Sequence, residues 1–309
     1  MSKDPRAIKA KMLSVGRLKK TTKAMEMVAR GKMKRAVSSA LSTRPYASCA
    51  LELLINLSRE LSEEKLRESK LLSSPEGADK ILIILIASDR GLCGGYNAML
   101  LKGLKNYLDE LRNGEEAEFL CIGRYAVKHA KRAGGTILKT MNISEDPQET
   151  ESNNLADYLL ARFGEGEYKE AVILYSNFIS VFKQQVTARK LLPLSSVSLK
   201  DMISELGGEG EDSTERNDIR VEKISQSNYL FEPSEESIVD LIVPRLLKAQ
   251  VYQSLLEAGA SEQSARMVAM KSATDNADKM GKELLLNYNK ARQAAITKEI
   301  LEVAAGACG

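Results

Sequence analysis

The sequence predicts an α/β protein in which two long terminal helices flank a central domain of alternating strands and helices. Proline is absent from residues 6–44 and from residues 245–309, so each of these stretches can form one long helix. Between them, short apolar runs alternate with helical patterns. That alternation is typical of a layered α/β domain with a mostly parallel sheet.

Each terminal stretch carries a stripe of apolar and small residues at spacings of three and four, which is typical of coiled-coil helices. The first stripe consists of Ile8, Met12, Val15, Thr22, Met25, Ala29, Met33, Ala36 and Ala40. The last consists of Met267, Met270, Ala273, Ala277, Met280, Leu284, Tyr288, Ala291 and Ala295. A helix of sixty residues would reach roughly 90 Å and must project from any small domain. We therefore predict that the two helices pair with each other; the alternative is two separate helices lying on the domain.

The central domain is predicted to contain at least three strands and three helices. The strands are "ILIILIA" at 81–87, "EFLCIG" at 118–123 and "AVILYS" at 171–176. The helices are residues 98–112, 124–133 and 152–163, and a further strand pair is expected within "FISVFKQQVTARKLLPL". The predicted domains are a first long helix in 1–75, the α/β domain in 76–232 with an acidic loop at 200–222, and a second long helix in 233–309. Ser234 is the expected cap of that last helix.

Positive charge is concentrated at the start of the chain. Residues 1–35 contain 12 Lys and Arg against 2 Asp and Glu, a balance of +10, although the net charge of the whole chain is +3. A local basic segment indicates an acidic protein partner, a nucleic acid or a membrane surface; the alternative is a solvated helix face.

The stretch "ASDRGLCGGYN" at 87–97 resembles the start of a nucleotide-binding loop, because a buried strand runs into a glycine-rich turn. Its pattern is G-x-x-G-G, which matches neither G-x-G-x-x-G nor G-x-x-x-x-G-K-[ST]. We therefore interpret it as a tight strand-to-helix turn.

The sequence offers little for catalysis or metal binding. The single histidine, His129, has no nucleophile motif near it and is predicted to lie at the surface, whereas Cys93 could be activated by a following helix N-terminus. The four cysteines form no CxxC pair. We predict no catalytic residue, no cofactor site and no metal site on this chain.

Several longer motifs, in one order along nearly the whole chain, resemble the gamma subunit family of the F-type ATP synthase. They are "TKAMEMVA" at 22–29, "RPYA" at 44–47, "SDRGLCGGYN" at 88–97, "LLPL" at 191–194, "YLFEP" at 229–233, "SEQSARMVAMKSATDNA" at 261–277 and "YNKARQAAITKEILEVAAGA" at 288–307. The resemblance implies an antiparallel coiled coil of the terminal helices with an inserted Rossmann-like α/β domain. The acidic stretch 200–222 is longer than expected for the common bacterial form.

The resemblance also implies a function and partners. The coiled coil would turn inside a hexamer of alpha and beta subunits, and the α/β domain would contact the epsilon subunit and the ring of c subunits. Ion flow through the ring would drive ATP synthesis at the beta subunits, so the chain would be non-catalytic. It would be peripheral to the cytoplasmic face of a bacterial inner membrane.

Two groups of contact residues follow from the matched motifs. Met25, Arg292, Gln293, Thr297 and Glu299 are expected to contact a beta subunit. Arg90, Gly91, Cys93, Gly94 and Gly95 are expected to face epsilon and the c ring. Met25 would otherwise be taken as a core residue, and the other four of the first group as ordinary helix surface.

Two other classes of function remain open to test. The first is a basic coiled-coil protein that binds nucleic acid, although no aromatic residue for base stacking occurs before Pro45. The second is a Rossmann-like enzyme that uses a nucleotide.

Overall fold

The predicted fold class is confirmed in the computed structural model, which describes residues 5–60, 71–75, 77–111, 115–194 and 235–306. The chain begins with the long helix α1 (Pro5–Glu60) and ends with the long helix α5 (Glu235–Gly306). Five strands and three shorter helices lie between them in the sequence. The elements between them are β1 (Lys80–Ile86), α2 (Tyr96–Glu110), β2 (Glu116–Ile122), α3 (Arg124–Arg132), β3 (Thr136–Met141), α4 (Glu149–Gly164), β4 (Tyr168–Phe178) and β5 (Gln184–Leu192). The predicted loop at 200–222 and the predicted cap Ser234 lie outside the described residues.

The five strands form one sheet in the order β3-β2-β1-β4-β5. β1 pairs in parallel with β2 and β4, and β2 pairs in parallel with β3. β5 is antiparallel to β4, so the expected strand pair is a hairpin. The sequence analysis missed β3, whose residues "TILKTM" are all at least partly exposed at the edge of the sheet.

The two faces of the sheet are covered by different helices. Leu82, Ile84 and Ile86 of β1 belong to the core shared with α4 and α5. Ile81, Ile83 and Leu85 belong to the core shared with α2 and α3. Because successive strand residues point to opposite faces, a strand covered on both sides is apolar throughout, as "ILIILI" is.

Helix α5 crosses the sheet in the same direction as β4. Glu257 contacts Tyr175 near the end of β4, and Ser264 contacts Val181 just beyond it. α5 therefore leaves the sheet at the edge where the four parallel strands end, and its remaining residues extend away from the domain.

Helices α1 and α5 pack against each other in an antiparallel pair. Thr43 bonds to Gln253, and Thr22 bonds to Thr274, so a step of 21 residues down α1 (43 to 22) matches a step of 21 residues up α5 (253 to 274). Lys19 pairs with Asp278, which continues the same register. The predicted pairing of the terminal helices is confirmed.

Each long helix contains a proline inside its predicted range of 1–75 or 233–309. α1 continues through Pro45, and α5 begins at Glu235 and contains Pro244. A proline removes one helical hydrogen bond and disfavours the helix, but the burial of Val243 and Leu246 beside Pro244 offsets this locally.

The predicted stripes are buried or half-buried, mostly at the α1–α5 interface, with two exceptions. Met25 is 39% exposed and Met280 is 53% exposed, although both were predicted to lie in the stripe. Glu26 and Thr274 are buried at the interface instead. The spacing identified the helix faces to within one residue position, which corresponds to about 100° of helix rotation.

Candidate functional site

The candidate functional surface consists of two regions that are joined by α5. We call the first the shoulder: the turn 87–95, the loop 142–148 and the hairpin tip 179–183, which surround α5 where it leaves the sheet. We call the second the tip: residues 292–306 of α5.

The tip extends beyond the described part of α1. From the Thr22–Thr274 pair, 17 residues along each helix lead to Pro5 in α1 and to Ala291 in α5. Residues 292–306 therefore continue for about 22 Å without an α1 residue opposite them in the described chain. Among the described residues this stretch is a single exposed helix, and such a surface is suited to a partner.

The predicted beta-contact residues of α5 all lie on the tip. Arg292, Gln293, Thr297 and Glu299 are exposed. Thr297 Oγ1 donates to the carbonyl of Gln293, 2.9 Å away, so its hydroxyl is held against the helix. The tip thus presents a cation, an amide and a carboxylate.

The sequence analysis missed the apolar side chains of the tip. Ile296, Ile300, Leu301 and Val303 are between 46% and 73% exposed. Four large apolar side chains in eight residues of an exposed helix indicate a protein contact. The sequence could have indicated them only as apolar residues beyond the end of the paired stripe. Where that pairing ends was not known until the register of the two helices was known.

The stripe predicts a buried Met25, but the structure exposes Met25 and buries its neighbour Glu26. Met25 is directed outward, as the resemblance implies, while the Glu26 side chain is only 2% exposed. Its carboxylate accepts bonds from Lys23 at 3.0 Å and from Arg30 at 3.4 Å. These ion pairs also account for part of the basic charge of α1 within the protein itself.

The glycine turn of the shoulder is held by a small group of polar side chains. Asn97 Nδ2 donates to Ser88 Oγ at 2.7 Å and to Cys93 Sγ at 3.3 Å. Cys93 is 2% exposed and packs in the core beneath the turn. Of the predicted contact residues, Cys93 therefore cannot present its thiol to a partner, and it supports the turn from inside.

The remaining residues of the turn form its outer surface. Arg90, Gly94 and Gly95 are exposed, and Gly91 is half-buried. Gly94 has φ +59°, a left-handed conformation that glycine adopts without strain. Leu92, which the sequence analysis did not single out, also has a positive φ of 64° and is 62% exposed. The turn thus exposes one arginine and one leucine on a well-supported backbone.

The turn lies against α5 at the shoulder, on the side from which the paired helices project. Arg266 Nη2 donates to the carbonyl of Arg90 at 3.3 Å, and a Cβ added to Gly94 would be 3.5 Å from Ala269. In the helix register, Ala269 is opposite Met27, two residues from Met25. The turn therefore lies level with Met25, where the paired helices leave the domain, and its expected contact with epsilon and the c ring stays a prediction.

A small acidic cleft of about 60 Å³ lies next to the turn at the carboxyl edge of the sheet. Its lining includes Asp89, Glu145 and Glu262. Burial raises the pKa of Glu262, against the opposing effect of the neighbouring Arg266. Carboxylates at this edge oppose the binding of a phosphate, so the cleft does not support the nucleotide-dependent enzyme.

Polar contacts join the shoulder to both long helices, including the bond from Arg266 of α5 to the carbonyl of Arg90. Lys32 of α1 pairs with Glu145, and Arg266 bonds to Glu262 within α5 at 2.6 Å. Asp89 accepts a bond from the backbone nitrogen of Arg124 at 2.9 Å. Across the ranges described above, no group of three or more His, Cys, Asp and Glu side chains is arranged to hold a metal ion.

The prediction that His129 lies at the surface is wrong. The histidine is 3% exposed and its ring lies 6.3 Å from the ring of Tyr125. Burial lowers its pKa, and the nearby positive charge of Arg132 lowers it further. The periodicity of the nine-residue α3 directs His129 inward together with Ala126 and Ala130.

None of the helices in the described part of the chain is long and apolar enough to cross a membrane.

Comparison with known proteins gives one consistent result. A family described as ATP synthase matches residues 4–308. The "ATP synthase gamma chain" of Gloeobacter violaceus is 36% identical over 98% of both chains, and that of Gloeothece citriformis is 35% identical over 97% of both. The chloroplastic "ATP synthase gamma chain" of Trieres chinensis is 34% identical over 97% of this chain and 83% of its own.

Solved structures share the fold. A chain of the Euglena gracilis mitochondrial ATP synthase aligns with a TM-score of 0.62 and 19% identity, covering 98% of this chain and 93% of that one. A chain of the Tetrahymena thermophila mitochondrial ATP synthase, in a structure of its central stalk and c ring, has a TM-score of 0.57 and 22% identity. That alignment covers 82% of this chain and 99% of the other.

Proposed function

Because the chain belongs to the ATP synthase gamma chain family, we propose that it is the central-stalk rotor subunit of an F-type ATP synthase. In this role it couples ion flow through a membrane ring of c subunits to ATP synthesis or hydrolysis at beta subunits. The observation that carries the proposal is the pair of antiparallel helices, which projects from the α/β domain and ends in an exposed single-helix tip.

The chain itself is proposed to be non-catalytic. Nucleotides would be bound and converted on the beta subunits, and the chain would act by binding some of their conformations better than others at each orientation. The proteins matched above are ATP synthase subunits, which gives no support to the nucleic-acid alternative.

The tip is proposed to contact the alpha and beta subunits. Arg292 and Gln293 supply charged and amide donors for a beta-subunit loop, with Thr297 and Glu299 on the same helix. The exposed apolar residues around them suit a sleeve that surrounds the helix on all sides. At any one orientation the contact between the tip and this sleeve can be small in area. A small contact lets the helix turn without locking in one orientation.

The shoulder is proposed to face the same hexamer from below. Arg90, Gly91, Gly94 and Gly95 lie level with Met25, on the side of the domain from which the shaft projects. This position favours contact with beta subunits over the c ring for this turn. We assign the opposite edge of the sheet, where the four parallel strands begin, to the side facing epsilon and the c ring.

Through these partners the chain would be peripheral to a membrane, on the cytoplasmic face in a bacterium. It would reach the membrane by way of the complex.

The proposal is tested by complementation in a bacterial host that lacks its own gamma subunit. An affinity-tagged copy of this chain is expected to copurify with alpha and beta subunits and to restore ATP synthesis in inverted membrane vesicles. Isolation as a free monomer, with no restored synthesis, would refute the rotor role. Salt-sensitive binding of the isolated chain to DNA or RNA would instead support the nucleic-acid alternative.

A further inference from the structure

A buried chain of hydrogen bonds crosses from the sheet through α5 to α1. Tyr175 Oη of β4 donates to Glu257 Oε2 at 2.6 Å, and Gln253 Nε2 donates to Glu257 Oε1 at 2.8 Å. Thr43 Oγ1 of α1 donates to Gln253 Oε1 at 2.5 Å. Four side chains thus connect three layers of the molecule.

The charge at the centre of this chain is compensated inside the protein. Glu257 is 4% exposed and Arg189 of β5 is 7% exposed, with Arg189 Nη2 3.8 Å from Glu257 Oε2. The Arg189 guanidinium also lies 5.4 Å from the centre of the Tyr175 ring. A buried ion pair adds little stability compared with apolar residues of the same volume, but it restricts the geometry that the surrounding groups can adopt.

Apolar packing also holds α5 at this level, because Val251 and Leu255 belong to the core that α5 shares with the sheet. Ser254, Ala258, Ala260 and Ser261 are buried and small. Contacts between apolar or small side chains are not directional, so they define the angle of the helix about its axis less sharply than hydrogen bonds do. Hydrogen bonds are directional, and a helix rotation of one residue position, about 100°, would remove Glu257 from Tyr175.

We propose that the hydrogen-bonded chain Tyr175–Glu257–Gln253–Thr43 is a torsional lock that holds both shaft helices at a fixed angle to the α/β domain. The four are positioning residues: they contact no nucleotide, and they pass the rotation of the domain to the shaft. The inference rests on the proposed function, because a lock matters when the domain is driven by one partner and the shaft works against another.

The test compares two tyrosines of the same strand. Tyr175→Phe removes the hydroxyl that donates from β4 to Glu257 of α5. Tyr168→Phe is the matched control, since Tyr168 is also fully buried and also donates to a glutamate, Glu118, at 2.6 Å, but both residues belong to the sheet. Each variant is assembled into the complete complex in vesicles, and ATP hydrolysis and ATP-driven ion pumping are measured together.

In the Tyr175→Phe complex, the fraction of ATP hydrolysed without ion pumping is expected to rise about fivefold, the factor expected for one lost hydrogen bond. The Tyr168→Phe complex should keep the coupling of the unmodified complex. Thr43→Val, which cuts the link to α1 at nearly constant volume, should raise the uncoupled fraction in the same direction.

Equal coupling in the Tyr175→Phe, Thr43→Val and Tyr168→Phe complexes would overturn the lock. Failure of Tyr175→Phe to assemble leaves Thr43→Val as the deciding variant, because Thr43 lies at the partly exposed end of the chain of bonds. If the unmodified chain neither assembles nor pumps, the proposed function has failed; if it does both and the variants do not differ, the lock alone has failed.

Discussion

The hydroxyl oxygens of Thr22 and Thr274 lie 2.8 Å apart in the interface between the two long helices. Both residues are buried, with 6% and 7% exposure. Thr274 donates to Thr22, and Thr22 donates to the carbonyl of Lys19 at 3.1 Å. A polar pair buried in a coiled coil favours one register, because any shift leaves a hydroxyl without its partner.

Replacing both of these threonines should destabilise the protein by less than the sum of the two single replacements. Thr22→Val or Thr274→Val is expected to lower the free energy of unfolding by about 1 kcal/mol, since the remaining hydroxyl loses its partner across the interface. The double variant should lose less than the sum of the two. Urea denaturation of the four proteins measures the coupling, and Thr21→Val, at an exposed neighbour, is the control.

A positive charge at Met25 should reduce coupling without preventing assembly. Met25→Lys places a cation on the exposed side of α1, where the family resemblance implies an acidic beta-subunit loop. Stronger attraction at one orientation would hinder rotation past it, so ATP synthesis should fall more than ATP hydrolysis. The matched control is Met27→Lys, which is 65% exposed and lies two residues away on another side of the helix. Equal effects of the two substitutions would exclude a specific contact at Met25.

Loss of the polar pair at the start of the tip should slow turnover. The double substitution Arg292→Ala and Gln293→Ala is expected to lower both ATP hydrolysis and ATP synthesis while alpha and beta subunits still copurify. Both side chains are exposed, so their removal leaves the fold of the free chain intact. Lys298→Ala on the same segment, whose partner is Glu302 of its own helix, is the control. Unchanged rates in the double variant would remove this pair from the beta-subunit contact.

Gly123 should tolerate no side chain at the carboxyl edge of β2. Its φ is +89° and an added Cβ would lie 2.1 Å from the carbonyl oxygen of Ala87, so the backbone would have to move. Gly134→Ala is the matched control, with φ +75° and no atom within 4 Å of the added Cβ. We expect about 1–2 kcal/mol of destabilisation at Gly134 from the left-handed backbone, and clearly more at Gly123. Thermal or urea unfolding of the two variants measures the difference.

Acidification should destabilise the protein through His129. Its pKa is lowered from the ordinary 6.5 by burial, so below pH 6.5 the unfolded chain takes up a proton more readily than the folded one. Stability should therefore fall as the pH drops through 6.5, and the fall should be shallower in His129→Gln. Because the chain has one histidine, a single imidazole NMR signal reports its pKa directly. A folded-state value at or above 6.5 would contradict the prediction.

The main strands could be predicted from the sequence because they are buried on both faces. β1, β2 and β4 are apolar runs, and the structure begins them only one to three residues before the predicted positions. β3 was missed because an edge strand is half exposed, and "TILKTM" lacks a continuous apolar run. Pro45 and Pro244 lie inside the long helices because tertiary packing overrides the low helix propensity of proline.

The candidate site was predicted in part. The matched motifs identified Met25, Arg292 and Gln293, and all three are exposed. Cys93 is the opposite case, because its position in a turn gave no indication that its thiol would be directed into the core. The exposure of the apolar residues of the tip depends on how α1 and α5 are aligned. That alignment is a relation between residues nearly 300 positions apart in the sequence.

Periodicity, composition and motif order were sufficient for the long helices, the α/β domain between them and the family. These are properties of residues close together in the sequence, and the burial of apolar residues follows from them without knowledge of distant contacts. The height of the glycine turn on the shaft, the exchange between Met25 and Glu26, and the buried chain from Tyr175 to Thr43 were not contained in any local pattern. They depend on the angle and the register at which separate elements pack. In the folded protein, directional hydrogen bonds hold that angle and that register.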